Sequence, residues 1–472
     1  MVISTLADGI ARGVETVSGR ISETLFEPVI RLGVTGLARS GKTVFITSLV
    51  ANLLDRGRMP GLVAQQQGRI EAAFLQPQPD VTVPRFDFEA HLAALTAPAP
   101  HWPESTRTIS ELRLSLRVRP AGLLAGLQGP RTVHLDIVDY PGEWLLDLGL
   151  LDRSYQSWAQ ETLSRLEGRA DAQDFIAHAR AADPDAPHDE GVARDLARRF
   201  TAYLAGARDK GSYDCIPPGR FLLPGDLEGS PVLTFAPVPV AAAARRGTLH
   251  REMERRFEAY KSRVIKPFFH DHFARIDRQV VLVDALGAIH RGPRAVDDLA
   301  RSMTDILSAF RPGRNAFLSQ LWRGRRVERI LFAATKADHL HHAQHDRLTA
   351  IMAALTRGAR DRAQFAGAQT AAMAIASIRA TTEETRRHEG RDLLCVRGRL
   401  LEDGRQAAFH PGELPEDPAR LLGPAREGAG AWLDADYGAM RFAPATLSLA
   451  PGDGPPHIRL DRAAQFLIGD RL

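Results

Sequence analysis

The chain has 472 residues, 44% hydrophobic and 25% charged, with a formal net charge of +4; this is enough chain for two or three domains or one enlarged domain, and its basic residues are spread among acids with no basic block, which favours a solvated surface over a nucleic-acid patch, so no nucleic-acid partner is expected. The two cysteines, Cys215 and Cys395, are too few and too far apart for a disulfide framework or a paired-cysteine metal knuckle. That fits a reducing cytosol, and no run is long and apolar enough to span a bilayer.

Residues 1–28 read as an amphipathic helix: Ile3, Leu6, Ile10, Val14, Val17, Ile21 and Leu25 recur at helical spacing. The opposite face is near neutral, which favours packing on protein over docking on a membrane surface. A short strand is expected at Val29 to Thr35 and a helix at Thr43 to Leu54. Between them GLARSGKT, Gly36 to Thr43, fits the phosphate-loop pattern in full. Gly36 and Gly41 let the backbone approach phosphate oxygens, and the N–H groups of Ala38, Arg39, Ser40 and Gly41 line the cradle. The following helix adds its positive end. Lys42 is placed to bridge the β- and γ-phosphates, and the Thr43 hydroxyl to ligate Mg²⁺.

A Pro-rich stretch follows, through Pro77 to Pro103. Ser110 to Val118 then reads as an edge strand, antiparallel to a strand at Thr132 to Val138. Ser105, Thr106 and Thr108, just before it, are the candidates for a switch residue that senses the γ-phosphate. The second strand runs into Asp139-Tyr140-Pro141-Gly142, which resembles the D-x-x-G element of GTPases. Asp139 would hold Mg²⁺ through water, and the Gly142 N–H would contact the γ-phosphate; Asp136 is a competing carboxylate within the strand. Glu143 stands where Ras-like enzymes carry a water-orienting glutamine. It would repel the γ-phosphate, so slow intrinsic turnover is expected.

Helices are expected at 151–166, 189–207 and 247–271. Strands return at Gln279 to Val283, Arg329 to Ala334 and about Ala371 to Ser377. The second of these leads into Thr335-Lys336-Ala337-Asp338, a T-K-x-D string. A carboxylate at Asp338 accepts from guanine N1–H and the 2-amino group, which adenine does not offer, and the Lys336 stem covers the base. The third leads into Ser377, Ile378 and Arg379, the register of a further base-contacting loop. His341 and His345, at i and i+4, have the spacing of a metal pair on one helix face, although exposed helix-start histidines are the commoner case. Hairpin-like runs at Leu394 to Leu401 and Gln406 to Phe409, and a helix near Arg462 to Ile468, complete the chain.

These motifs, with WPESTRTISELRL from Trp102, DYPGEWLLDL from Asp139, FLLPGDLEGSP and LDRAAQFLIGDRL, resemble the YcjX-like family of P-loop GTPases over nearly the whole chain. The resemblance implies an α/β fold: a P-loop NTPase, Ras-like core with a mixed, mostly parallel sheet, a helical insertion and a C-terminal α+β appendage. The expected division is an N-terminal helix (1–28), a G domain in two parts (29–143 and 278–381), the insertion (144–277) and the appendage (382–472). It also implies GTP and GDP as ligands, a stress-associated role, a YcjF-like membrane-protein partner and a peripheral place at the inner membrane. GLARSGKT is similar, in addition, to the phosphate loops of guanylate-binding proteins and atlastins. There the loop arginine acts as an internal finger once G domains pair, which makes Arg39 a candidate catalytic residue beside Lys42 and Glu143, and a homodimer a candidate state. A nucleotide-gated scaffold with negligible hydrolysis is the alternative that Glu143 favours. A P-loop ATPase requires the T-K-x-D string to be accidental.

Overall fold

The computed structural model describes residues 27–37, 39–104, 108–121, 129–210, 216–241, 245–308, 327–432 and 437–472. The expected N-terminal helix, Ala38, Ser105, Thr106 and Cys215 lie outside these, apart from Glu27 and Pro28 at the end of the helix span.

Seven strands make one sheet in the order β2-β3-β4-β1-β5-β6-β7. They are β1 (Val29–Gly36), β2 (Ile70–Gln76), β3 (Ser110–Val118), β4 (Arg131–Asp139), β5 (Arg278–Val283), β6 (Arg329–Ala334) and β7 (Gln369–Ala374). From β4 to β7 all neighbours are parallel; β2–β3 and β3–β4 are antiparallel. The central strands are apolar at almost every position because both of their faces are covered. Val280 and Leu282 enter one core, Val281 and Val283 the other. The expected edge strand at Ser110 is one place inside the sheet, because β2 lies beyond it.

The first core packs α1 (Lys42–Asp55) against the sheet through Phe45, Ile46, Leu49 and Leu53, next to α2 (Phe88–Thr96). On the other face, β4 is followed by α3 (Glu143–Leu148), α4 (Tyr155–Leu166), α5 (Gln173–Ala181) and α6 (Glu190–Asp209). Next come α7 (Leu249–Tyr260) and, after the π turn Lys261–Ile265, α8 (Lys266–Asp271). Pro267 has no N–H to give to the helix ladder, which accounts for the widened turn just before it. Aromatic rings hold this insertion together: Trp158 stacks on Phe257 with centroids 5.1 Å apart and meets Phe235 and Phe200 edge-on.

Helices α9 (Ala285–His290) and α10 (Pro293–Ser308) precede β6, and α11 (His345–Leu355) and α12 (Arg357–Phe365) precede β7. A second sheet, β8 (Thr381–His388), β9 (Arg391–Arg399) and β10 (Gln406–Phe409), is antiparallel throughout. Helix α13 (Ala419–Arg426) packs on α10. The chain then returns to the large sheet. Ile458 pairs with Ala376, and α14 (Leu460–Ile468) buries Leu460, Ala463, Ala464 and Leu467 in the first core. Arg278 of β5 is 1% exposed; its Nε donates to the Leu467 carbonyl at 2.9 Å and its guanidinium meets Asp470 and Glu328. No helix among the described residues is long and apolar enough to cross a membrane.

Candidate nucleotide site

The parallel strands deliver their motifs to one edge of the sheet, where open α/β sheets bind ligands. β1 ends at Gly36. A Cβ there would lie 2.5 Å from the Leu282 carbonyl oxygen of β5, so only glycine fits. Arg39 and Gly41 turn the loop with φ of 64° and 86°, and α1 begins at Lys42. The Lys42 ammonium donates to the Gly36 carbonyl at 2.7 Å, folded over its own loop.

Asp139 ends β4, fully buried, with its backbone in register with Val34 of β1. Asp136 is accounted for otherwise: its two oxygens take the Arg113 guanidinium at 2.6 and 2.8 Å. Tyr140 points inward and donates to Gln279 at 2.7 Å. Gly142 then comes down on the phosphate loop, where a Cβ would lie 2.6 Å from the Gly36 carbonyl carbon. The D-x-x-G element and the loop are thus in van der Waals contact. The Thr43 hydroxyl and Asp139 carboxylate are hard oxygen donors of the kind Mg²⁺ takes; Thr43 lines the cavity described below, and the fully buried Asp139 does not.

At the T-K-x-D end of the site, Lys336 has φ 61° and its ammonium is paired with Asp284, the residue that follows β5 and caps α9 through the Gly287 N–H at 3.0 Å. One oxygen of Asp338, Oδ2, accepts from the Ala380 N–H at 2.8 Å, and the Thr381 hydroxyl donates to the Asp338 carbonyl. Thr335 donates to the Val283 carbonyl at 3.3 Å. The Ser377 carbonyl accepts from Ser48 of α1, which ties the third loop to the phosphate-loop helix, and Ile378 is buried beside it.

Gly41, Lys42, Thr43, Glu143, Lys336, Asp338, Ser377 and Ile378 all line one cavity of about 870 Å³, together with Arg39 and Ser40. Several of its walls carry no local motif. Arg208 comes from α6 of the insertion, Asp284 from the end of β5, and Trp102 and Phe442 from segments far apart in sequence. Trp102 Nε1 donates to the Phe442 carbonyl at 2.8 Å, and the Phe442 ring meets His339 edge-on at 5.1 Å. An apolar run that ends in aspartate was the signal available for Asp284. Thr108, the described member of the switch candidates, does not line this cavity.

Two contacts join the site to the insertion. The Arg39 guanidinium donates to the Asp209 carbonyl at the end of α6, at 3.4 Å. Helix α3 is held more firmly. Asp147 accepts from the Gly219 N–H at 2.7 Å, the Arg220 N–H at 3.3 Å and the Tyr260 hydroxyl at 2.6 Å. Burial lifts its carboxyl to about 6, against the opposing effect of those donors. The Arg220 guanidinium lies 3.3 Å over the Trp144 ring. His341 and His345 make no metal pair, but His345 is not the exposed helix-start histidine expected either: it is buried, and its Nε2–H donates to the Ala337 carbonyl at 2.8 Å, propping the T-K-x-D loop from behind.

A phosphate loop at the end of β1, a D-x-x-G element resting on it and the mostly parallel sheet that carries both define a P-loop NTPase fold with a Ras-like core. The YcjX-like family (DUF463) matches residues 30–472. The chain is 38% identical over 458 residues to the protein named Ras-like GTPase YcjX of Escherichia coli K12, covering 94% of this chain and 96% of that one. It is 36% identical over 469 residues to the protein of the same name from Shewanella oneidensis, covering 94% of each. The chain belongs to the YcjX-like family.

Proposed function

We propose that this protein binds guanine nucleotide with Mg²⁺, hydrolyses GTP to GDP slowly, and passes the nucleotide state to its helical insertion. The observation that carries the reading is the position of α3. It begins directly after Gly142, which rests on the phosphate loop, and it is clamped to the insertion through Asp147. Loss of the γ-phosphate contact at Gly142 would therefore move a helix that the insertion holds. The names of the two relatives support the same activity. Asp338 Oδ1 would accept from the guanine edge while Ala380 holds Oδ2 in place. Lys42 would leave the Gly36 carbonyl for the phosphates, with Thr43 supplying an oxygen ligand to Mg²⁺ and Asp139 holding the ion through water. Glu143 would orient water poorly against a charged phosphate, which keeps turnover slow, and Arg39 would add charge at the transition state after leaving Asp209. The cytoplasm is the proposed compartment.

Calorimetric binding of GDP and ADP with Mg²⁺, to wild type and Asp338→Asn, tests the base assignment. GDP should bind at least about a hundredfold more tightly than ADP, because adenine leaves a buried carboxylate unpaired. The variant should lose GDP and gain xanthosine diphosphate. Equal affinity for GDP and ADP would refute the guanine assignment.

A further inference from the structure

We propose that His341, His342 and Glu383 form a binding site for a divalent transition-metal ion of the Zn²⁺ class, bracing the T-K-x-D loop against the second sheet. The two histidines are adjacent at the start of the single turn His342–Gln344, and Glu383 is the third residue of β8. A ligand atom from each lies within 4.8 Å of the other two. His342 Nδ1 is 2.6 Å and His341 Nε2 3.6 Å from the same carboxylate oxygen, Glu383 Oε2. Metal–ligand bonds of 2.0–2.2 Å set tetrahedral ligand edges at about 3.3 Å, which the two distances to Glu383 Oε2 bracket, so small side-chain rotations would bring the three atoms onto one ion.

An ion pair explains only part of this arrangement. His342 is hydrogen-bonded to Glu383, but His341 Nε2 stands beyond hydrogen-bond length from the oxygen it faces. The imidazole rings lie 4.3 Å apart at 33°, side by side against the same carboxylate. A shared dication uses both nitrogens. The donor set, two imidazoles and a carboxylate, suits Zn²⁺ and its neighbours rather than Mg²⁺, and leaves a position for water. The other carboxylate oxygen, Glu383 Oε1, is 3.4 Å from the Arg379 guanidinium, an outer partner that orients the ligand. His341 now accepts the Ala343 N–H on Nδ1 at 3.3 Å. Taking a cation on Nε2 moves the ring proton to Nδ1 and gives up that long bond. The proton between His342 and Glu383 leaves to solvent.

The site differs from the nucleotide site in both position and chemistry, since none of the three residues lines the cavity. It is nevertheless two residues from Thr381, whose hydroxyl holds the Asp338 carbonyl.

The test is Co²⁺ titration of the full, chelator-stripped chain, followed by visible absorption, with Zn²⁺ as competitor and Mg²⁺ present in excess. We expect one Co²⁺ per chain with ligand-field bands, displaced by Zn²⁺ and not by Mg²⁺. Glu383→Gln and His342→Ala should each weaken it at least tenfold with an unchanged melting temperature in the absence of metal. These side chains are partly exposed, so neither variant threatens folding. Absence of a stoichiometric Co²⁺ complex, or equal binding by wild type and both variants, overturns the proposal.

Discussion

At neutral pH the Asp147 carboxylate is held out of water by the Gly219 and Arg220 amides and the Tyr260 hydroxyl, with the Arg220 guanidinium nearby. Burial raises its pKa from the usual 3.8 to about 6, so the folded protein holds the proton more tightly than the unfolded chain does. The sign follows from linkage. Stability from this group is complete below about pH 3.8, declines through the interval, and is lost above about pH 6. Asp147→Asn removes the titration while keeping most of the shape. The stability of wild type minus that of Asp147→Asn, from urea unfolding, should therefore fall as pH rises from about 4 to 6.5 and level off above it. A two-unit displacement corresponds to about 3 kcal/mol across that range. A difference flat in pH would mean that the carboxyl is solvated and that the clamp on α3 is looser than its geometry.

At the scale of elements, α3 is the part that both the phosphate loop and the insertion hold. Trp144 on that helix lies beneath Arg220, so its emission should differ between GDP and a non-hydrolysable GTP analogue, and Trp144→Phe should abolish the difference. After mixing with GTP, decay of the signal to the GDP level times single-turnover hydrolysis. Identical emission in both states would leave α3 uncoupled from the nucleotide. The elements that position the site were legible because they carry their own signal. β1, β4, β5 and β6 are runs of apolar residues, and each ends in a fixed motif or an aspartate. Two strands were not. β2, IEAAFLQ, is an edge strand with Phe74 41% exposed, so it has neither alternation nor a continuous apolar run. β8, TTEETRRH, is mostly wet on both faces and pairs only with β9, so burial left no period to read. The same reasoning separates the site residues. Gly36, Lys42, Asp139, Gly142 and Asp338 sit in contiguous strings whose spacing reflects one local turn each. Arg208, Trp102 and Phe442 reach the cavity only through tertiary folding; Trp102 opens a segment that resembles the family, but no local chemistry assigns it to the site, and nothing in the immediate neighbours of Arg208 and Phe442 marks them.

On the scale of the whole molecule, the second sheet and α13 are bracketed by segments that belong to or pack on the seven-stranded sheet. After them the chain passes the Ser377 loop, where Arg379 N–H donates to the Pro456 carbonyl at 2.8 Å, and Asn52 of α1 donates to the Pro455 carbonyl at 3.1 Å. It ends as α14 in the first core. Leu467 is fully buried there, and Leu467→Ala should cost about 2–5 kcal/mol of stability, by lost burial and by the cavity it leaves. Because α14 packs on β5 and β6, that loss should lower the transition of the nucleotide domain itself, and GDP should raise the melting temperature of wild type and variant alike. A separate early transition, with the main one unmoved, would make α14 an independent unit.

The place of α14 also sets a timetable for synthesis. The Asn52–Pro455 bond spans 403 residues, so α1 emerges from the ribosome long before the residues that complete its surroundings. At ~5–20 residues per second, that wait lasts on the order of twenty seconds to more than a minute. Throughout it the apolar residues of the first core that α14 later covers lack that cover, and nucleotide captured before α14 docks would be held by an unfinished domain.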